Sequence, residues 1–106
     1  MNNKELVKIS MEVILHAGNA RNYIRNAGNK ITDHNLDGID IMLSEAEKEI
    51  VLAHKAQTDM LHNEARGEDI QLTVLFTHAQ DTLMTTESEL FIIQTLYKFC
   101  KGGVKE

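Results

Sequence analysis

Five histidines, His16, His34, His54, His62 and His78, are the side chains in this sequence best suited to chemistry. An imidazole can bind a metal, move a proton or attack an electrophile near neutral pH. A carboxylate-bridged di-metal bundle needs Glu-x-x-His on its helices, and no glutamate here has a histidine three residues later. The zinc-protease pattern His-Glu-x-x-His is absent, and the single cysteine, Cys100, can build neither a structural zinc site nor an intrachain disulfide. There is no glycine-rich phosphate loop, and Ser10, Ser44 and Ser88 sit in no nucleophile elbow. What remains is the run Thr77-His78-Ala79-Gln80-Asp81-Thr82-Leu83-Met84-Thr85. On a helix, His78, Asp81 and Thr82 fall within one turn, at i, i+3 and i+4. Spacing alone leaves two readings open: a reactive histidine beside a carboxylate, or an ordinary surface histidine, which is the commoner arrangement. His34 in a turn and His62 beside Asn63 and Glu64 read as solvated, while His16 and His54 flank apolar stripes and read as packing residues.

The elements that must hold these residues are helices. The chain has no proline, the commonest helix breaker. Leu6, Ile9, Val13, Ala17, Ala20, Ile24 and Ala27 recur in steps of three and four, which places them on one stripe. The stretch Gly28 to Asn35 breaks the period, with Gly28 read as a helix C-terminal residue and Asp33 or Asn35 as caps of the next helix. A second seam runs through Leu36, Ile39, Leu43, Ala46, Ile50, Ala53, Gln57 and Met60, where Gln57 reads as a hydrogen-bonded core amide. Gly67 with Glu68-Asp69 marks a turn, and the third period reads Leu72, Leu75, Ala79, Leu83, Thr86, Leu90, Ile93, Tyr97 and Cys100, ending at Gly102-Gly103. The expectation is an all-α single domain over 1–106, with three long antiparallel helices at roughly 4–28, 34–66 and 70–101. Rods of about 30 residues are about 45 Å long and enclose a thin core. Second apolar stripes, Val7 with Ile14 and Phe76 with Leu83 and Leu90, are expected to be buried between subunits.

A chain of 106 residues fits one domain. Sixteen acidic residues against eleven Lys and Arg give a net charge of −5, which argues against binding to nucleic acid or an anionic membrane through a basic surface. Charges occupy the first twelve residues where a signal peptide would be apolar, and no run of about 18 apolar residues occurs. The expected location is the cytoplasm.

The segment from His78 to Thr85, HAQDTLMT, resembles the hallmark His-(Ala/Gly)-Gln-Asp-His-Leu-Met-Thr of the enzyme IIA family of the lactose/cellobiose (N,N'-diacetylchitobiose) class of the sugar phosphotransferase system. HAGNAR from His16 to Arg21 is similar to that family's first helix. Ala53-His54, Gln57-Thr58, Met60-Leu61, Glu64-Ala65 and Gly67-Glu68 are similar to the end of its second. The resemblance implies a phosphoryl carrier in which His78 accepts phosphate from the histidine-containing phosphocarrier protein. It passes the group to the cysteine of the cognate enzyme IIB during uptake of a β-linked disaccharide. It also implies a homotrimeric nine-helix bundle with Asp81 of each subunit on the threefold axis, sharing one Mg2+. Gln80 and Thr82 are expected as phosphate-site neighbours. Thr82 departs from the family pattern, which has histidine there. That departure keeps an alternative in view: a helical regulatory or scaffolding member that binds partners without efficient phosphotransfer. The sugar is not legible, because sugar contacts belong to the membrane component.

Overall fold

The computed structural model describes residues 2–67 and 73–102. Three helices, α1 (Asn3–Thr32), α2 (Ile39–Ala65) and α3 (Val74–Gly102), pack up, down and up in a rod measuring 58 × 21 × 19 Å. α1 starts where expected, because the Asn2 side chain accepts the Glu5 backbone N–H at 2.8 Å. It does not stop at Gly28. The helix runs on to Thr32 and ends with the Asn35 N–H on the Lys30 carbonyl and the His34 N–H on the Ile31 carbonyl. This is a Schellman closure, with His34 at φ 58° in the left-handed position that glycine usually fills. Gly28 instead lies on the flank of α1, where Ile93 Cδ1 would be 3.7 Å from an added Cβ.

α2 begins later than expected. Its cap is Gly38, at φ +76° and without a side-chain hydrogen bond; Asp33 closes α1, and Asn35 accepts the Asp37 N–H at 3.1 Å inside the connection. The expected start of α3 at 70, with Glu68, Asp69 and Leu72, lies outside the described residues. Within them, Thr73 accepts the Phe76 N–H on its hydroxyl at 3.0 Å and α3 begins at Val74.

The predicted stripes line the core. Leu6, Val13, Ala17, Ala20, Ile24 and Ala27 of α1 are buried against Ile39, Leu43, Ala46, Ile50, Ala53 and Met60 of α2 and Ala79, Leu83, Thr86, Leu90, Ile93 and Tyr97 of α3. Buried hydroxyls are satisfied within their own helices: Ser10 donates to the Leu6 carbonyl and Thr86 to the Thr82 carbonyl. Gln57 differs from the expectation. Its Oε1 is buried with no protein hydrogen-bond partner among the described residues.

Phe76 also differs, because it belongs to the interior of the subunit, as Leu83 and Leu90 of the third period do, and not to a contact between subunits. Phe76 is 3% exposed and packs with Leu6 and Met60 at one end of the rod. Phe76→Ala is therefore expected to lower stability by about 3–5 kcal/mol, seen as a fall in the urea midpoint. An unchanged midpoint would contradict this packing.

His16 and His54 are more than packing residues. His16 Nδ1 lies 2.6 Å from Glu49 Oε2, joining α1 to α2, and His54 Nε2 lies 2.6 Å from Glu87 Oε1, joining α2 to α3. At the far end Lys101 Nζ sits 3.9 Å from Asp40 and over the Tyr97 ring. Burial, followed by the Asp40 carboxylate, holds the Tyr97 phenol above its usual range.

Candidate functional site

His78 occupies the second turn of α3, one turn beyond the Thr73 cap. It is exposed and lines a shallow depression of about 550 Å³ with Thr73, Val74, Thr77 and Asp81. Asp81 shares this open face one turn on, as the i, i+3 spacing requires. Neither the His78 imidazole nor the Asp81 carboxylate has a hydrogen-bond or ion-pair partner among the described residues. The imidazole is thus presented to solvent on a rigid rod, which suits a group that must be reached by another protein.

The remaining sequence-derived neighbours are placed differently. Thr82 lies on the next turn, but its hydroxyl donates to the His78 carbonyl at 2.8 Å, so its proton is engaged by the backbone. Gln80, two residues from His78, lies on another face of the helix and is half-buried. That face is the one from which Glu87, seven residues on, reaches His54 of α2. Thr85 donates to the carbonyls of Asp81 at 2.9 Å and Thr82 at 3.1 Å.

α3 also carries an outward apolar stripe. Val74, Met84, Phe91, Ile92 and Phe99 are all more than half exposed, with Phe91 at 71% and Phe99 at 75%. Val74, Asp81, Ser88 and Thr95 repeat every seven residues along its middle, with Met84 and Phe91 three residues after Asp81 and Ser88. This is the spacing of a coiled-coil seam, and Asp81 is an ionisable member of it, as is Lys98 three residues after Thr95. No one chain offers a group of three or more His, Cys, Asp or Glu side chains able to hold a metal among the described residues. Asp81 therefore fits a metal only as a ligand shared between copies.

Sequence reasoning did not foresee the cross-helix partners Glu49, Glu87 and Glu89. Their spacing within one helix carries no signal of which neighbouring residue they meet.

Residues 8–101 match the family described as "PTS system, Lactose/Cellobiose specific IIA subunit". The chain is 41% identical over 103 residues to the "PTS system lactose-specific EIIA component" of Staphylococcus epidermidis, covering 97% of this chain and 99% of that protein. It is equally identical, over the same length, to the protein of that name in Streptococcus mutans. The crystal structure of PtcA from S. mutans superposes with a TM-score of 0.91 at 36% identity, covering 95% of this chain and 99% of that one. The PTS cellobiose-specific enzyme IIA from Bacillus anthracis gives 0.86 at 29% identity, covering 96% and 92%. With its three-helix rod and its exposed histidine in HAQDTLMT, the chain belongs to the lactose/cellobiose-specific IIA family, the phosphotransfer components of sugar phosphotransferase systems.

Proposed function

We propose that this protein carries a phosphoryl group on His78, between the histidine-containing phosphocarrier protein and the cysteine of a cognate enzyme IIB, in uptake of a β-linked disaccharide. The observation that carries the reading is the exposed, unpaired His78 at an open depression within the family's motif. A neutral imidazole attacks phosphorus without a helper base. An N–P bond forms at His78 as the N–P bond to the donor histidine breaks; the donor imidazole keeps the electron pair and takes up a proton, balancing the one that the other ring nitrogen of His78 releases. In the second transfer an S–P bond forms on the partner's thiolate as the His78 N–P bond breaks. The transition state is loose and in line, so orientation supplies most of the acceleration. No helix among the described residues is long and apolar enough to cross a membrane, consistent with a cytoplasmic carrier that meets its partners in solution.

The α3 seam supports a homotrimer in which three such stripes cover one another around an axis. Asp81 lies in that seam, and three copies would supply three carboxylate oxygens of the about six that Mg2+ prefers. Bound there, the ion would supply positive charge that offsets carboxylate repulsion.

Thr82 supports a second reading, a partner-binding member with weak phosphotransfer, because its hydroxyl is held by the His78 carbonyl and it brings no charge. The test is incubation with phosphoenolpyruvate, enzyme I and the phosphocarrier protein, followed by intact mass. A gain of one acid-labile phosphate supports the carrier. No gain, under conditions that label a relative, supports the second reading. Thr82→His is expected to preserve or raise the transfer rate; a large loss would mean that threonine is fitted to this site.

A further inference from the structure

α1 and α3 run parallel, and one guanidinium bridges them. Arg21 of α1 donates its Nε–H to Glu89 Oε1 at 2.8 Å and its Nη2–H to Thr85 Oγ1 at 2.9 Å. These are the only side-chain hydrogen bonds between α1 and α3 among the described residues. Their targets lie on successive turns of α3, on the stripe that continues from His78 through Thr82, Thr85 and Glu89. Thr85 in turn donates to the carbonyls of Asp81 and Thr82. A hydroxyl thus connects Arg21 to the turn that follows His78.

The register has a consequence at the site. His78 precedes Thr85 by seven residues and Ile14 precedes Arg21 by seven, about 10 Å along each helix. The stretch of α1 around Ile14 therefore lies level with His78. It includes Met11 and Leu15, which are 52% and 58% exposed. A protein that docks on this apolar part of α1 while reacting with His78 depends on the mutual height of two helices. Apolar packing is non-directional and tolerates small sliding. A forked guanidinium on two successive turns does not.

We propose that Arg21 is a positioning residue for phosphoryl transfer, fixing α3 against α1 so that His78 meets a docked partner in line. It touches neither the phosphoryl group nor the reacting atoms. The proposal rests on the carrier reading of His78.

The test compares wild type with Arg21→Ala and with the charge-swapped pair Arg21→Glu/Glu89→Arg, using two phosphoryl donors. With the phosphorylated carrier protein, Arg21→Ala should lose about tenfold or more in kcat with little change in KM, and the swapped pair, which restores the contact between positions 21 and 89 but not the one to Thr85, should recover part of it. With phosphoramidate, a small donor that needs no docking, Arg21→Ala should be labelled at the wild-type rate. A wild-type kcat in Arg21→Ala overturns the proposal. An equal loss with phosphoramidate also overturns it, because Arg21 would then act on the chemistry itself. So does a loss that disappears at a lower temperature where the variant is fully folded. If Arg21→Ala does not fold, Glu89→Gln removes the charge pairing from the other helix and reads the same kcat-against-KM split. A wild-type chain that takes no phosphate from the carrier overturns the carrier reading, a result distinct from a labelled wild type with an indifferent Arg21 variant.

Discussion

Replacing His78 with alanine is expected to abolish phosphoryl labelling, while single replacement of any other histidine leaves one labile phosphate on the chain. For His16 and His54 the difference follows from what the ring touches; His34 and His62 are exposed as His78 is, but lie outside the HAQDTLMT motif. His16 and His54 are each held by a carboxylate on a neighbouring helix, and His34 closes the end of α1. His78 stands in an open depression and has no such partner among the described residues. The fold should tolerate the change, because the side chain is exposed and alanine is the better helix former. Intact mass after incubation with the phosphorylated carrier gives the answer directly, with circular dichroism as the control. Label that persists in His78→Ala would move the acceptor elsewhere. His54 would be next, since it is half exposed and its Nδ1 is free of the Glu87 contact.

Asp81→Asn is expected to remove bound divalent metal completely while leaving an assembled, or more loosely assembled, bundle. Asp81 sits in the exposed seam of α3 with apolar side chains along the same stripe. Three carboxylates brought together there would repel one another in a partly desolvated setting, and a shared cation turns that repulsion into attraction. The amide removes the ligand and the repulsion together, so metal content should respond more sharply than assembly. Elemental analysis reads the first and sedimentation the second, with chelation of the wild type weakening the trimer. A strictly monomeric wild type, or a variant with full metal occupancy, would refute the shared site.

The three helices were legible because their buried residues follow the helical repeat with few interruptions; Ala17, Ala20, Ala46 and Ala53 could be assigned to the core from position alone. The end of α1 was not. Glycine is the usual left-handed residue at a helix end, so Gly28 drew the boundary, whereas His34 takes that conformation at the real closure. Phe76 was assigned to the wrong interface for a related reason. Periodicity shows that a residue faces something apolar, without distinguishing the same chain from a second copy. At the site, the HAQDTLMT segment was legible as a candidate, and the fate of the Thr82 hydroxyl was not. A threonine on a helix can point outward or bond back to the carbonyl four residues earlier, and nothing in its spacing decides between them.

α1 packs along both other helices, whereas α2 and α3 meet least. Contacts between segments adjacent in sequence form fastest, so the α1–α2 hairpin can close before α3 has left the ribosome. α3 then settles onto a finished two-helix platform on which Arg21 is already in place. In that order the helix bearing His78 would be the last to be fixed. A chain in which that final docking failed would lose the acceptor's geometry. Completion of the fold and competence to receive a phosphoryl group are acquired in the same step.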